Sequence, residues 1–109
     1  TMKLWYIYIM TNKMNGVLYI GISDNIEERV KEHRLKVYPK SFTAKYNCHR
    51  LVYLEEHDDG VEASKREISL KKWKREWKIR LIEEVNPVWM DISLNWNFDY
   101  KRYLPSQVF

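Results

Sequence analysis

Leu4 to Met10 (Leu-Trp-Tyr-Ile-Tyr-Ile-Met) is an unbroken run of apolar, aromatic and β-branched residues, and no other stretch constrains the fold as tightly. A segment with no polar face suits a strand covered on both sides. Asn12-Lys13-Met14-Asn15-Gly16 follows, and Asn-Gly is a strong hairpin signal. Val17 to Ile20 then reads as the returning strand. Side chains two apart share a strand face, so Tyr6 and Tyr8 project together, with Tyr19 on the second strand. Gly21 is expected to end the hairpin, where a missing side chain permits a sharp reversal or a ligand's close approach.

Asp24, with Glu27 three residues on, reads as a capping box opening a helix. Ile26, Val30 and Leu35 would face inward, and Arg29 and His33, four apart, would share another face. Ser41 to Asn47 is a polar, basic connector. Arg50 to Glu56 reads as a third strand, ended by the turn signal Asp58-Asp59-Gly60. Val61 to about Arg75 and Glu76 to Val85 read as two further helices, with no visible join. Asn86-Pro87 stops the last one, because proline pushes its predecessor out of helical geometry. Cys48-His49 lacks partners at zinc spacing, and Glu55, Glu56, Asp58 and Asp59 are assigned to solvent.

The expected architecture is α+β: a small mixed three-stranded sheet, made of the hairpin and a third strand, flanked by helices in the order β-β-α-β-α-α. One domain over residues 1–109 is expected, with a core at about 3–91 and an aromatic tail at about 92–109 (Trp96, Phe98, Tyr100, Tyr103, Phe109). Thr1 ahead of Met2 is read as a leftover of recombinant expression. Aromatic content of 15% and hydrophobic content of 45% argue against disorder. A net charge of +4 is mild support for a polyanionic partner. One cysteine excludes an internal disulfide, and no apolar run approaches a membrane span. A reduced, cytoplasmic setting is the expectation.

Taken singly, each tyrosine, Arg29, His33 or Glu67 has an ordinary packing or solvent role. Their order does not: Tyr6-Ile7-Tyr8, ten residues, Tyr19-Ile20-Gly21-Ile22-Ser23, then Arg29-x-x-x-His33, Arg66-Glu67 and Asn86-Pro87. Across residues 4 to 90 this resembles the GIY-YIG endonuclease superfamily, and most of all its small single-domain bacterial members. Two departures stand out. Tyr6 occupies the first motif's glycine position, and Ile22 follows Gly21 where some repair nucleases of the family carry a lysine.

The resemblance implies a divalent-metal-dependent DNA endonuclease that leaves a 5′-phosphate and a 3′-hydroxyl. Tyr8, Tyr19, Gly21, Arg29, His33, Glu67 and Asn86 would form the site, with Glu67 holding a single Mg²⁺ or Mn²⁺. A hard cation of this kind takes carboxylate oxygen and keeps several waters. Arg29 offers a planar fork for phosphate oxygens. Tyr8 or His33 would remove the proton from the attacking water. Eight basic residues between Lys65 and Arg80, interleaved with Trp73 and Trp77, suit phosphate contact. Lys45, Lys71, Lys72, Lys74 and Arg75 are assigned to nucleic-acid binding, with the two tryptophans packing at core-stripe spacing. DNA is the expected partner, RNA the other candidate, and the chain is expected to be a monomer or weak homodimer. Nothing is appended to read a long base sequence, so shape, ends or flexible strands are the expected targets, in repair or recombination. The alternative is a non-catalytic nucleic-acid-binding module or accessory subunit of the same fold.

Overall fold

The computed structural model describes residues 3–96. Its elements are β1 (Trp5–Thr11), β2 (Leu18–Ser23), α1 (Ile26–Arg34), α2 (Phe42–Lys45), β3 (Arg50–His57), α3 (Gly60–Lys72) and α4 (Arg75–Val85). The three strands form one sheet in the order β2-β1-β3. Both pairings are antiparallel, so the α+β class holds and the sheet is antiparallel throughout rather than mixed.

β1 is the central strand, which explains its continuous apolarity: Ile7, Tyr8, Ile9 and Met10 are all fully buried. Alternation along the strand divides the interior into two layers. Ile7 and Ile9 pack with Ile20, Val52, Tyr53, Ala63, Leu70, Ile82 and Trp89 on the face covered by α3 and α4. Tyr8 and Met10 pack with Ile26, Val30, Cys48 and Leu51 on the α1 face. A register shift at Ile9/Met10 lets Leu51 and Tyr53 serve opposite layers, with Val52 as the extra residue between them.

Several boundaries differ from the sequence reading. Asn25, not Asp24, caps α1 by accepting from the Glu28 amide, while Asp24 pairs with Lys3 at 2.9 Å. The Ser41–Asn47 connector contains a helix, α2. Ser41 Oγ accepts from the Ala44 amide, and Asn47 in left-handed geometry (φ 56°) closes the other end. The Cys48 amide completes that closure by donating to the Thr43 carbonyl at 2.8 Å. α3 stops at Lys72 because Trp73 and Lys74 both adopt extended geometry, ψ 151° and 148°. Glu55 is not solvated: it accepts from Tyr53, Arg66 and His57.

Asn86 and Trp89 turn the chain back onto β3. The Asn86 amide donates to the Val52 and Met90 carbonyls at 3.0 and 2.8 Å, and its oxygen accepts from the Met90 amide at 2.9 Å. The Ile92 amide bonds the Leu51 carbonyl, and Trp96 packs against the Tyr8 layer. The rest of the expected aromatic tail, residues 97–109, lies outside the described residues. No helix among the described residues is long and apolar enough to cross a membrane.

Candidate active site

Gly21 lies inside β2, directly opposite Tyr8 in the register. It does not end the hairpin. A Cβ at position 21 would collide with the Tyr8 ring and hydroxyl, so glycine is there to let the ring cross the neighbouring strand. Residue 21 is thus tied to the site by the passage of an aromatic ring over bare backbone.

The Tyr8 hydroxyl lies 2.9 Å from His33 Nε2, and His33 Nδ1 lies 2.8 Å from Thr43 Oγ1. Ser41 Oγ continues the chain, 3.2 Å from Thr43 Oγ1. Tyr8, His33 and Thr43 are buried, at 0%, 6% and 2% exposure, and Ser41 at the far end is partly exposed, so the line runs from the interior toward the surface. α1 brings His33 to it; α2 exists to bring Thr43. Sequence reasoning missed Thr43, and its one available signal was Ser41, a good N-cap residue followed by four residues of helix.

Tyr19 completes the ring cluster, 6.2 Å from Tyr8 and 5.4 Å from His33 between centroids. Arg29 sits beside both phenols, pairs with Glu32 at 3.1 Å and stacks on Tyr38. Burial and the neighbouring Tyr19 push the Tyr8 hydroxyl well above the ordinary phenol range, against the opposing pull of Arg29. Burial first, then the Arg29 charge, lower His33 to about 4, so the imidazole is neutral near pH 7. Burial also works against the Arg29 charge, but Tyr8 and Glu32 outweigh it and hold the guanidinium firmly protonated.

Glu67 approaches from the other side of the sheet. Ala63 and Leu70 define the stripe of α3 that packs on the sheet. At about 100° per residue, Arg66 and Glu67 flank that stripe on opposite sides. Arg66 reaches Glu55 on β3 at 2.9 Å, so Glu67 faces β2. Its carboxylate is 3.2 Å from Lys71, which lines a groove at the β2 edge with Leu18, Tyr19, Ile20, Phe42 and Lys78. Tyr8, Tyr19, Arg29 and His33 therefore form one cluster on the α1 face. Glu67 stands across the β2 edge from it, with Tyr19 and Lys71 in the groove between.

Asn86 is not in this cluster; its side chain is occupied in joining α4 to β3. Arg75 is not directed outward either, since it clasps the hairpin turn by donating to the Asn15 and Gly16 carbonyls at 2.7 and 2.6 Å. Lys45 lies over the Tyr46 ring and Lys74 over Trp77, while Lys72 is exposed. Trp73 packs against the α3 layer as expected, but Trp77 is 45% exposed.

The match to known proteins agrees with this geometry. The model of the GIY-YIG catalytic domain family matches residues 4–80, which hold β1, β2, α1, β3, α3 and every residue of the ring cluster. The chain belongs to the GIY-YIG family. Its curated GIY-YIG relatives include a UPF0213 protein of Staphylococcus saprophyticus, 40% identical over 72% of this chain and 94% of that one. A UPF0213 protein of Syntrophus aciditrophicus is 37% identical over 75% of this chain and 92% of its own length. One from Desulfotalea psychrophila is 38% identical over 62% of this chain, which spans only 61% of that relative. No solved structure matches significantly. Membership places this GIY-YIG chain in a nuclease family.

Among the described residues no three His, Cys, Asp or Glu side chains gather as a metal cage. One partly buried carboxylate beside a groove still fits a hard cation that keeps its waters and takes a substrate phosphate.

Proposed function

We propose that the chain is a divalent-metal-dependent endonuclease that hydrolyses DNA phosphodiester bonds, directed by strand shape or ends, in repair or recombination. The observation that carries this reading is the buried Tyr8–His33–Thr43 line of hydrogen bonds beside Arg29. A buried neutral imidazole between two hydroxyls and next to a guanidinium is what a proton relay beside a phosphate site requires.

Arg29 donates to the scissile phosphate and balances its charge. Tyr19, the less buried of the two phenols, orients the phosphate or the attacking water. Tyr8 is too reluctant an acid to act alone. It takes a proton from water only while passing its own to His33 Nε2, which becomes the imidazolium. A phosphate bound at Arg29 offsets the positive charge that depresses His33, so the imidazole gains basicity when substrate arrives. Glu67 would hold Mg²⁺ or Mn²⁺ in place of its ion pair with Lys71, and the ion would supply Lewis acidity.

Incubation with single-stranded, nicked and branched DNA and Mn²⁺ tests the proposal. Wild type should cleave, and Glu67→Gln should lose at least about a hundredfold in rate with an unchanged circular-dichroism spectrum. Cleavage that persists in Glu67→Gln refutes the metal assignment.

A further inference from the structure

The ring cluster does not stop at Tyr19. Phe42 lies against it at 6.0 Å with planes only 29° apart, and Tyr46 follows Phe42 at 4.7 Å. Phe42 and Tyr46 are four apart at the ends of α2 and share its outer face. Both are large, apolar and open, 43% and 41% exposed. The three rings make a path from the buried hydroxyls to the surface. Cations border it: Lys45 over the Tyr46 ring, and Lys71 and Lys78 in the groove that Tyr19 and Phe42 line. Among the described residues no acidic side chain is part of that lining, but Glu67 stands at its margin, paired with Lys71 at 3.2 Å.

We infer that Phe42 and Tyr46 form a stacking subsite for the bases of an unpaired DNA strand, leading its backbone past Lys71 and Lys78 to Tyr19. Flat rings in series are sequence-tolerant partners for bases, and lysines at their margin suit the phosphates. A duplex keeps its base faces stacked inside and cannot use such a path. The inference deepens the nuclease reading by naming the form of the substrate. It concerns binding, so it can be tested without cleavage.

Fluorescence anisotropy in EDTA, with the full chain, should compare a thymidine 12-mer, the same length of abasic strand and a 12-base-pair duplex. The abasic strand keeps the phosphates and removes only what the rings would hold. The thymidine strand should bind about tenfold or more tighter than either competitor. Phe42→Ala and Tyr46→Ala should each weaken the thymidine strand about five- to tenfold and leave the abasic strand within about twofold. Phe42→Leu keeps apolar volume without a flat face and should behave like Phe42→Ala, while Phe42→Trp should bind as wild type. Equal binding of thymidine and abasic strands, or wild-type affinity in the Phe42→Ala/Tyr46→Ala double variant, overturns the subsite even if the protein cleaves DNA. Ring-dependent binding without any cleavage at Mn²⁺ sustains the subsite and overturns the nuclease reading instead.

Discussion

Position 21 and position 33 show how single residues set this site. Gly21→Ala forces a methyl into the Tyr8 ring, and overpacking of this kind costs about 1–3 kcal/mol. Urea unfolding should register that loss, and a Tyr8→Leu background should reduce it, since the obstructing ring is then gone. His33 makes the fold itself sensitive to acid. Its folded-state value is depressed from 6.5 to about 4, so its contribution is complete above pH 6.5 and disappears as pH falls from 6.5 toward 4. That amounts to on the order of 3 kcal/mol. Unfolding curves at several pH values should show a shallower decline over this window in His33→Gln. The proposed proton path requires the Nδ1–H tautomer of His33, in which Nε2 accepts from the Tyr8 hydroxyl and Nδ1–H donates to Thr43. Nitrogen-detected NMR of His33 should report the Nδ1–H form in wild type and a shift toward Nε2–H in Thr43→Val, with Thr43→Ser restoring it.

Elements in this chain owe their ends to residues with ambiguous signals, which is where sequence reading stopped short. The hairpin was legible because Asn15-Gly16 admits few other structures. The α1 cap was misplaced by one because Ser23, Asp24 and Asn25 can each cap; Ser23 Oγ instead accepts from the Asn25 amide. α2 escaped because a four-residue helix shows no periodicity, and its function, carrying Thr43 and Phe42, depends on long-range contacts. The α3–α4 break escaped because Trp73 and Lys74 carry neither proline nor glycine; tertiary packing imposes their extended geometry. Tyr8, Tyr19, Arg29 and His33 were readable as one constellation from motif order. That Asn86 and Arg75 are spent on holding elements together was not, since their partners are backbone carbonyls, which every residue has. Asn86→Ala should leave buried carbonyls and an amide without partners and cost about 2–4 kcal/mol in unfolding free energy. Trp89, which the turn at Asn86 delivers into the core, should then show a red-shifted fluorescence in a marginally folded variant.

Across the whole molecule, charge and mechanical support are distributed differently around the two tyrosines. The net charge of +4 is modest, so the proposed strand path would draw its substrate through Lys45 over Tyr46 and through Lys71 and Lys78 in the groove. Three phosphate contacts on a single strand give a log-affinity against log-salt slope of about −2, and Lys71→Ala should flatten it by about 0.7. Titrations between 50 and 200 mM salt, taken as about the usual working range, read this directly. The sheet order carries a last consequence. Tyr8 rides the middle strand, laddered on both sides, whereas Tyr19 rides an outer one. Amide deuterium uptake at Tyr8 should therefore require opening of the entire domain, and uptake at Tyr19 only a local parting of β2. The deep phenol is an anvil and the outer one a hinged jaw, so under the proposed reading a docking strand would displace Tyr19 without disturbing the Tyr8–His33 contact behind it.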